Sequence, residues 1–210
     1  MPHILTSEMR RHFHETGTLE VEGFFPEKVI NEIKQSFAQP LPFIQQYQKG
    51  HDLFRTNELF RRFDMRKELV EFVSEISQTH ILHLACDQIF DFRKTTGTSD
   101  FLKEPCSFAE LFSIHPLLVG ILVGLEGEGA SVDGQPFPSK PGNVTFFHPD
   151  ILIDWEKAEL KGRSFYFLAY APKGAIVRFS PHDPHTPLLK RMDYQEGSPI
   201  EAKTHPLFRL

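Results

Sequence analysis

The chain has 210 residues, which predicts one domain, and its 40% hydrophobic and 24% charged residues are typical of a globular protein. The formal net charge of −5 disfavours general binding to nucleic acid, because contact with phosphates requires a positive surface. The 21 Phe residues carry no polar group, and they predict a core filled with aromatic rings.

Helices are predicted mainly in the first half of the chain. The predicted elements there are a helix over about 7–15, a strand over 18–25, a helix over 27–39, a loop over 41–62 and a helix over about 66–77. Thr6 or Ser7 can cap the first helix, and Gly17 ends it. Pro26 lies in the first turn of the second helix, where a missing N–H costs nothing.

Strands are predicted mainly in the second half. The predicted segments are strands over 80–92, 117–125 and 144–155, two more strands within 163–179, a Gly/Pro-rich connector over 126–142 and an irregular tail over 181–210. Helices that precede strands favour an α+β fold with an antiparallel sheet or barrel. We expect one domain, with a helix-rich part (1–78), barrel strands (about 80–180) and the tail.

The cysteines and the apolar segments indicate a cytoplasmic protein. Cys86 and Cys106 form no CxxC pair and no zinc-binding spacing, which fits a reducing compartment. The N-terminus lacks the apolar segment of a signal peptide. The longest apolar run, HPLLVGILVGLEG, has about nine usable residues, whereas a membrane helix needs about 20, so no membrane is expected.

Four segments occur in the order found in the phytanoyl-CoA-dioxygenase-like Fe(II)/2-oxoglutarate oxygenases. They read TLEVEGFFPEKVINEIKQSF, LVGILVGLEG, PGNVTFFHPDILIDW and GRSFYFLAYAP. The chain resembles that family over roughly residues 5–178. The resemblance implies a double-stranded β-helix, which is a jelly-roll barrel. It also implies a place for Fe(II), bound by two histidines and one carboxylate, and for 2-oxoglutarate.

At the expected iron ligands this sequence departs from the family pattern. His148 matches the family histidine that does not bind metal, and the metal-binding histidine falls at Ile153, which cannot ligate iron. Residues 80–116 contain no HxD or HxE, and the loop nearest the expected place reads KEPCSFAE. Arg163 matches the arginine that pairs with the co-substrate carboxylate. We interpret it either as a relic anion site or as a surface arginine.

Other histidines offer alternative metal sites. His148 and Asp150 would project to one face of a strand, and His182 or His185 could be the third ligand. The alternative is a histidine that packs among Phe residues at a strand end. The segment PHDPH (181–185) is predicted as an exposed turn, and a surface site for a divalent cation is the alternative there.

The predicted fold is α+β, a double-stranded β-helix (a jelly-roll, cupin-like barrel) with the N-terminal helices packed on one side. The main functional hypothesis is an oxygenase-like protein that lacks the iron triad, has no cofactor and binds a small anionic or apolar ligand or a protein partner. The first alternative is an active 2-oxoglutarate-dependent dioxygenase with Fe(II) on His148, Asp150 and His182. The second is a divalent-cation-dependent transcriptional regulator, which the acidic charge and the lack of a His/Cys-rich cluster disfavour.

Overall fold

A computed structural model describes residues 4–36, 50–93, 105–129, 135–155 and 160–210. Its helices are α1 (Ser7–Thr16), α2 (Glu27–Ser36), α3 (Leu53–Thr56), α4 (Glu58–Asp64), α5 (Lys67–Ser77), α6 (Phe108–Leu111) and α7 (Thr186–Arg191). Its strands are β1 (Thr18–Val21), β2 (Ile81–Asp91), β3 (Ile114–His115), β4 (Val119–Glu126), β5 (Val144–Phe147), β6 (Ser164–Pro172), β7 (Ile176–Val177) and β8 (Leu207–Arg209).

The strands form a large antiparallel sheet and a smaller second layer. The large sheet has the order β1-β5-β4-β6-β2-β8, and β3 pairs with β7 in the second layer. Isolated antiparallel bridges join Cys106 to Ile153 and Ile176 to Pro199. Ile114, Val177 and Ile153 belong to the same hydrophobic cluster as the inner face of the large sheet, so the two layers enclose one core. This arrangement is the predicted jelly-roll barrel.

Alternate residues of the large sheet face two different cores. Leu19, Ile121, Phe146 and Leu168 are register partners on the outer face, where helices α2, α4 and α5 cover them. Their neighbours along each strand face the inside of the barrel. Because both faces are covered, β4 is buried along its length except at Glu126, and its apolar residues do not alternate with polar ones.

Aromatic rings fill the inside of the barrel, as the Phe content predicts. Phe167 is fully buried and stacks on Phe108, with ring centroids 4.2 Å apart and ring planes at 7°. Phe112 stacks on the same ring at 5.0 Å. Gly120 is needed beside this layer, because a Cβ there would lie 2.4 Å from the ring of Phe147. The strand β4 therefore contains a glycine for a packing reason.

The predicted helices over 7–15 and 66–77 and the strands over 80–92 and 117–125 are confirmed, with small shifts of their ends. The loop predicted over 41–62 is wrong where the structure describes it, because α3 and α4 lie there, whereas residues 37–49 are outside the described residues. The tail contains α7 and β8, which the sequence did not predict. Of the helices that the structure describes, none has the length and hydropathy needed to cross a bilayer.

We expect Phe167→Ala to lower the free energy of unfolding by about 3–5 kcal/mol, because it leaves a cavity between stacked rings. Urea denaturation followed by circular dichroism measures this change. The matched control is Leu152→Ala, since Leu152 is 59% exposed and its truncation should change stability by less than about 0.5 kcal/mol. Equal effects of the two variants would contradict the packing of the barrel interior.

Candidate functional site

Ile153, which the family resemblance aligns with the metal-binding histidine, forms an isolated antiparallel bridge with Cys106. The Cys106 N–H donates to the Ile153 carbonyl at 3.2 Å, and the Ile153 N–H donates to the Cys106 carbonyl at 3.0 Å. The side chain of Ile153 is fully buried in the inner cluster with Phe108 and Trp155. Burial raises the pKa of the Cys106 thiol. These residues do not supply the two imidazoles and one carboxylate that iron would require.

Arg163 lies inside the protein and not on its surface, so the interpretation as a surface arginine is wrong. Its residue is 3% exposed, and its guanidinium donates to the Pro138 carbonyl and lies 4.9 Å from the ring centroid of Phe165. Its Nε is buried and forms no hydrogen bond. Within the part of the chain that the structure describes, no carboxylate forms an ion pair with it. Burial lowers its pKa, although Glu20 partly opposes this change.

Of the three residues predicted for a displaced iron site, His148 and Asp150 are in contact, whereas His182 is not grouped with them. His148 Nδ1 lies 3.3 Å from Asp150 Oδ2, and the two side chains are 54% and 73% exposed. His182 is also exposed. It does not join them in a group of three ligands, since the described residues contain one such group and it has other members.

That group is His51, Asp52 and His185, which we call the edge cluster. One ligand atom from each residue lies within 4.8 Å of the others. His51 forms an antiparallel bridge with Gln88 at the margin of β2, and Asp52 is the N-cap residue of α3. The side chains of Asp52 and His185 are buried, and that of His51 is 17% exposed. The cluster therefore joins the start of α3 to the turn before α7.

His185 is held on both sides of its ring. Its Nδ1 lies 2.7 Å from Asp183 Oδ1, and its Nε2 lies 3.1 Å from the Asp87 carbonyl. Both partners are acceptors only, so both ring nitrogens carry a proton and the ring is a cation. Burial lowers the pKa of His185, but Asp52 and Asp183 outweigh burial and raise it to about 9.

The prediction of an exposed turn over 181–185 is therefore wrong for two of its residues. Asp183 and His185 are 5% and 4% exposed, whereas His182 is exposed as predicted. Asp183 Oδ2 accepts a hydrogen bond from the Ser113 N–H at 2.7 Å, which draws the turn onto the end of the barrel. Burial raises the pKa of Asp183, but His185 outweighs burial and lowers it.

Asp52 does not cap the helix that it begins. The side chain makes no capping hydrogen bond, and the backbone is left-handed with φ 54°. Asp87 caps the helix instead, since its carboxylate accepts from the N–H groups of Leu53 at 2.9 Å and Phe54 at 2.8 Å. Asp52 Oδ1 accepts from Arg55 Nε at 3.0 Å. Burial raises the pKa of Asp52, but His185, His51 and Arg55 together hold it well below its usual value.

A second buried cluster places one phenol between two carboxyl groups. Tyr166 Oη lies 2.8 Å from Asp64 Oδ1 and 2.7 Å from Asp87 Oδ2. The phenol can donate its one proton to only one carboxylate. The other carboxyl group must therefore be protonated and donate to the phenol oxygen. Burial and the charge of Asp87 raise the pKa of Asp64 well above its usual value, and Asp64 is the protonated acid.

Sequence reasoning missed His51 and Asp52 and assigned Asp183 and His185 to an exposed turn. The signals that could have found them are two short His/Asp segments, HD at 51–52 and HDPH at 182–185. Only the fold brings these segments together, because both contact the same stretch of β2.

The chain matches no protein-family model and no curated protein. Among solved structures it is similar to SnoK, a non-haem alpha-ketoglutarate-dependent carbocyclase from nogalamycin biosynthesis. The identity is 13%, the match covers 97% of this chain and 96% of SnoK, and the TM-score is 0.69.

Two further solved structures are similar at lower TM-scores. HygX from Streptomyces hygroscopicus, with nickel and 2-oxoglutarate bound, is 13% identical over 80% of this chain and 88% of its own, with a TM-score of 0.51. CT296 from Chlamydia trachomatis is 18% identical over 81% of this chain and 98% of its own, with a TM-score of 0.53. At such identities these likenesses show the fold alone, which is the double-stranded β-helix of iron- and 2-oxoglutarate-dependent enzymes.

We expect the stability of the protein to fall as the pH rises above 3.8, the usual carboxyl pKa, because folded Asp64 keeps a proton that the unfolded chain has released. One such proton gives a slope of about 1.4 kcal/mol per pH unit. In Asp64→Asn an amide replaces the protonated acid, so the stability should fall less steeply with pH. Urea titrations at several pH values measure the slope, and an unchanged slope would contradict the protonation of Asp64.

Proposed function

We propose that this protein binds a small anion at Arg163, in a barrel that does not hold iron at the position used by enzymes of this fold. The observation that carries the proposal is the buried guanidinium of Arg163, which has no ion pair among the described residues. The protein would then be a binding protein and not an oxygenase. We infer a likeness to the phytanoyl-CoA-dioxygenase group from the four sequence segments.

The cost of burying an unpaired charge supports an anionic ligand. An ionised side chain that is removed from water without a partner costs several kcal/mol. Arg163 has one neutral carbonyl acceptor and one aromatic face, and neither neutralises its charge. The guanidinium packs directly on Gly129, where a Cβ would lie 2.7 Å from Nη1. A carboxylate or phosphate that accepts from two guanidinium N–H groups fits this chemistry.

The residues at the expected iron position support the second part of the proposal. Ile153 has no lone pair, and the only side chain in its bridge with a ligating atom is the Cys106 thiol. Iron in 2-oxoglutarate oxygenases needs two histidines and a carboxylate with positions left open. Stacked rings also fill the interior around Phe108 and Phe167.

Cys86 and Cys106 form no disulfide, which supports our further proposal of a cytoplasmic, reducing location.

Two alternative functions stay hypotheses. They are the displaced oxygenase on His148, Asp150 and His182 and the cation-dependent transcriptional regulator. No specific contact of the described residues favours either of them, and the assay below distinguishes the oxygenase from a binding protein.

We expect untagged protein that is mixed anaerobically with Fe(II) and 2-oxoglutarate to develop no visible charge-transfer band, because the triad residues are replaced. After oxygen is admitted, no succinate should form above the level of buffer with iron. Iron-dependent succinate formation would overturn the proposal. If His148→Ala abolished that formation, the displaced site would be the explanation.

We expect saturating 2-oxoglutarate, succinate or phosphate without metal to raise the melting temperature of the wild type. A ligand at one hundred times its Kd adds about 2.7 kcal/mol. Arg163→Met should lose this response and should be as stable as the wild type or more stable without anion, because a buried charge is removed.

The matched control for this test is Lys161→Met, which removes an exposed cation two residues away. It should respond to anions as the wild type does. The anion proposal is wrong if Arg163→Met responds equally, or if no anion in the series shifts the wild type.

A further inference from the structure

We propose that the edge cluster is a binding site for one divalent transition-metal ion, with His51, Asp52 and His185 as its ligands. This site lies outside the barrel interior and does not depend on the anion site at Arg163. Its ligand atoms already lie within 4.8 Å of one another. Metal bonds of about 2.0–2.2 Å place tetrahedral ligands about 3.4 Å apart, so the ligand atoms must approach one another by at most about 1.4 Å.

The local structure makes the Asp52 carboxylate available to a metal. An N-cap aspartate normally binds the N–H groups of its own helix. Here Asp87 of strand β2 accepts hydrogen bonds from the first N–H groups of α3 in place of Asp52. The backbone of Asp52 is left-handed, and its side chain belongs to the edge cluster. Arg55 holds one carboxylate oxygen, and the other oxygen lies 3.5 Å from His51 Nδ1. Arg55 therefore fixes one oxygen of Asp52, and the other oxygen faces the proposed ligand His51.

His185 has the support that metal-binding histidines need. A carboxylate that accepts from one ring nitrogen fixes the ring and directs the other nitrogen to the metal. Asp183 does this at Nδ1, and the Ser113 N–H in turn holds Asp183. The remaining nitrogen, Nε2, donates to the Asp87 carbonyl, and a metal ion would replace that proton and release it to water. The carbonyl oxygen then lies near the metal as a further donor.

The chemistry of the ligands defines the class of metal. Two imidazoles and one carboxylate suit Zn²⁺ or Co²⁺, whereas Mg²⁺ and Ca²⁺ prefer oxygen ligands alone. The alternative is a purely structural ion-pair network, in which the charged His185 ring is neutralised by Asp52 and Asp183. Both interpretations use the same contacts, so the test must measure the metal itself.

The test is equilibrium dialysis of untagged, chelator-treated protein against Zn²⁺ or Co²⁺, with bound metal measured by atomic emission. We expect one equivalent of Zn²⁺, visible absorption bands of four- or five-coordinate Co²⁺, and a melting temperature raised by about 5 °C or more at saturation. Asp183→Asn removes the carboxylate that supports His185 but none of the three ligands, and it should weaken binding about 10- to 100-fold.

His51→Ala is the main variant, because His51 is a cluster residue that is partly exposed, and the fold should survive its loss. We expect it to keep a cooperative unfolding transition and to lose the stoichiometric metal. His148→Ala and His182→Ala remove exposed histidines elsewhere and serve as controls that keep it. The proposal is overturned if wild type binds less than one equivalent, or if folded His51→Ala binds as much as wild type. Anion binding by metal-free protein is measured separately, so each proposal can fail alone.

Discussion

The backbone and side chain of Asp87 attach three separate parts of the chain to the middle of strand β2. Its carboxylate accepts hydrogen bonds from the first N–H groups of α3 and from Tyr166, and its carbonyl accepts from His185. A buried carboxylate is tolerated only when such donors replace the lost water. The start of α3, the end of α4 at Asp64 and the turn before α7 all depend on this one residue.

The apolar interior of the barrel explains why polar chemistry is found at its margins. Rings from both layers fill the space between them, so a charged group has few partners inside. Arg163 precedes the first residue of β6, whereas the edge cluster adjoins Asp87, which pairs with Leu168. Five residues of a strand span about 16 Å, so the two polar regions lie apart along the same sheet. They can serve two independent ligands.

The sequence could predict the barrel because its signals are local or occur in a fixed order. Apolar runs, the cap at Thr6 and the ordered segments that include Gly142 and His148 are all read along the chain. The edge cluster has no such signal, because its members are distant in sequence and meet only on β2. The loop predicted over 41–62 fails for the same reason, since the cap of α3 comes from Asp87 and not from a neighbouring residue.

The pairing of β8 with β2 has a consequence for the behaviour of the protein in solution. Residues 81–83 of β2 bond to residues 207–209, and the Leu210 N–H donates to the His80 carbonyl. An uncovered strand margin is a template on which other chains can add by hydrogen bonding. Residues 207–209 thus cover this part of the β2 margin, where another chain could otherwise pair.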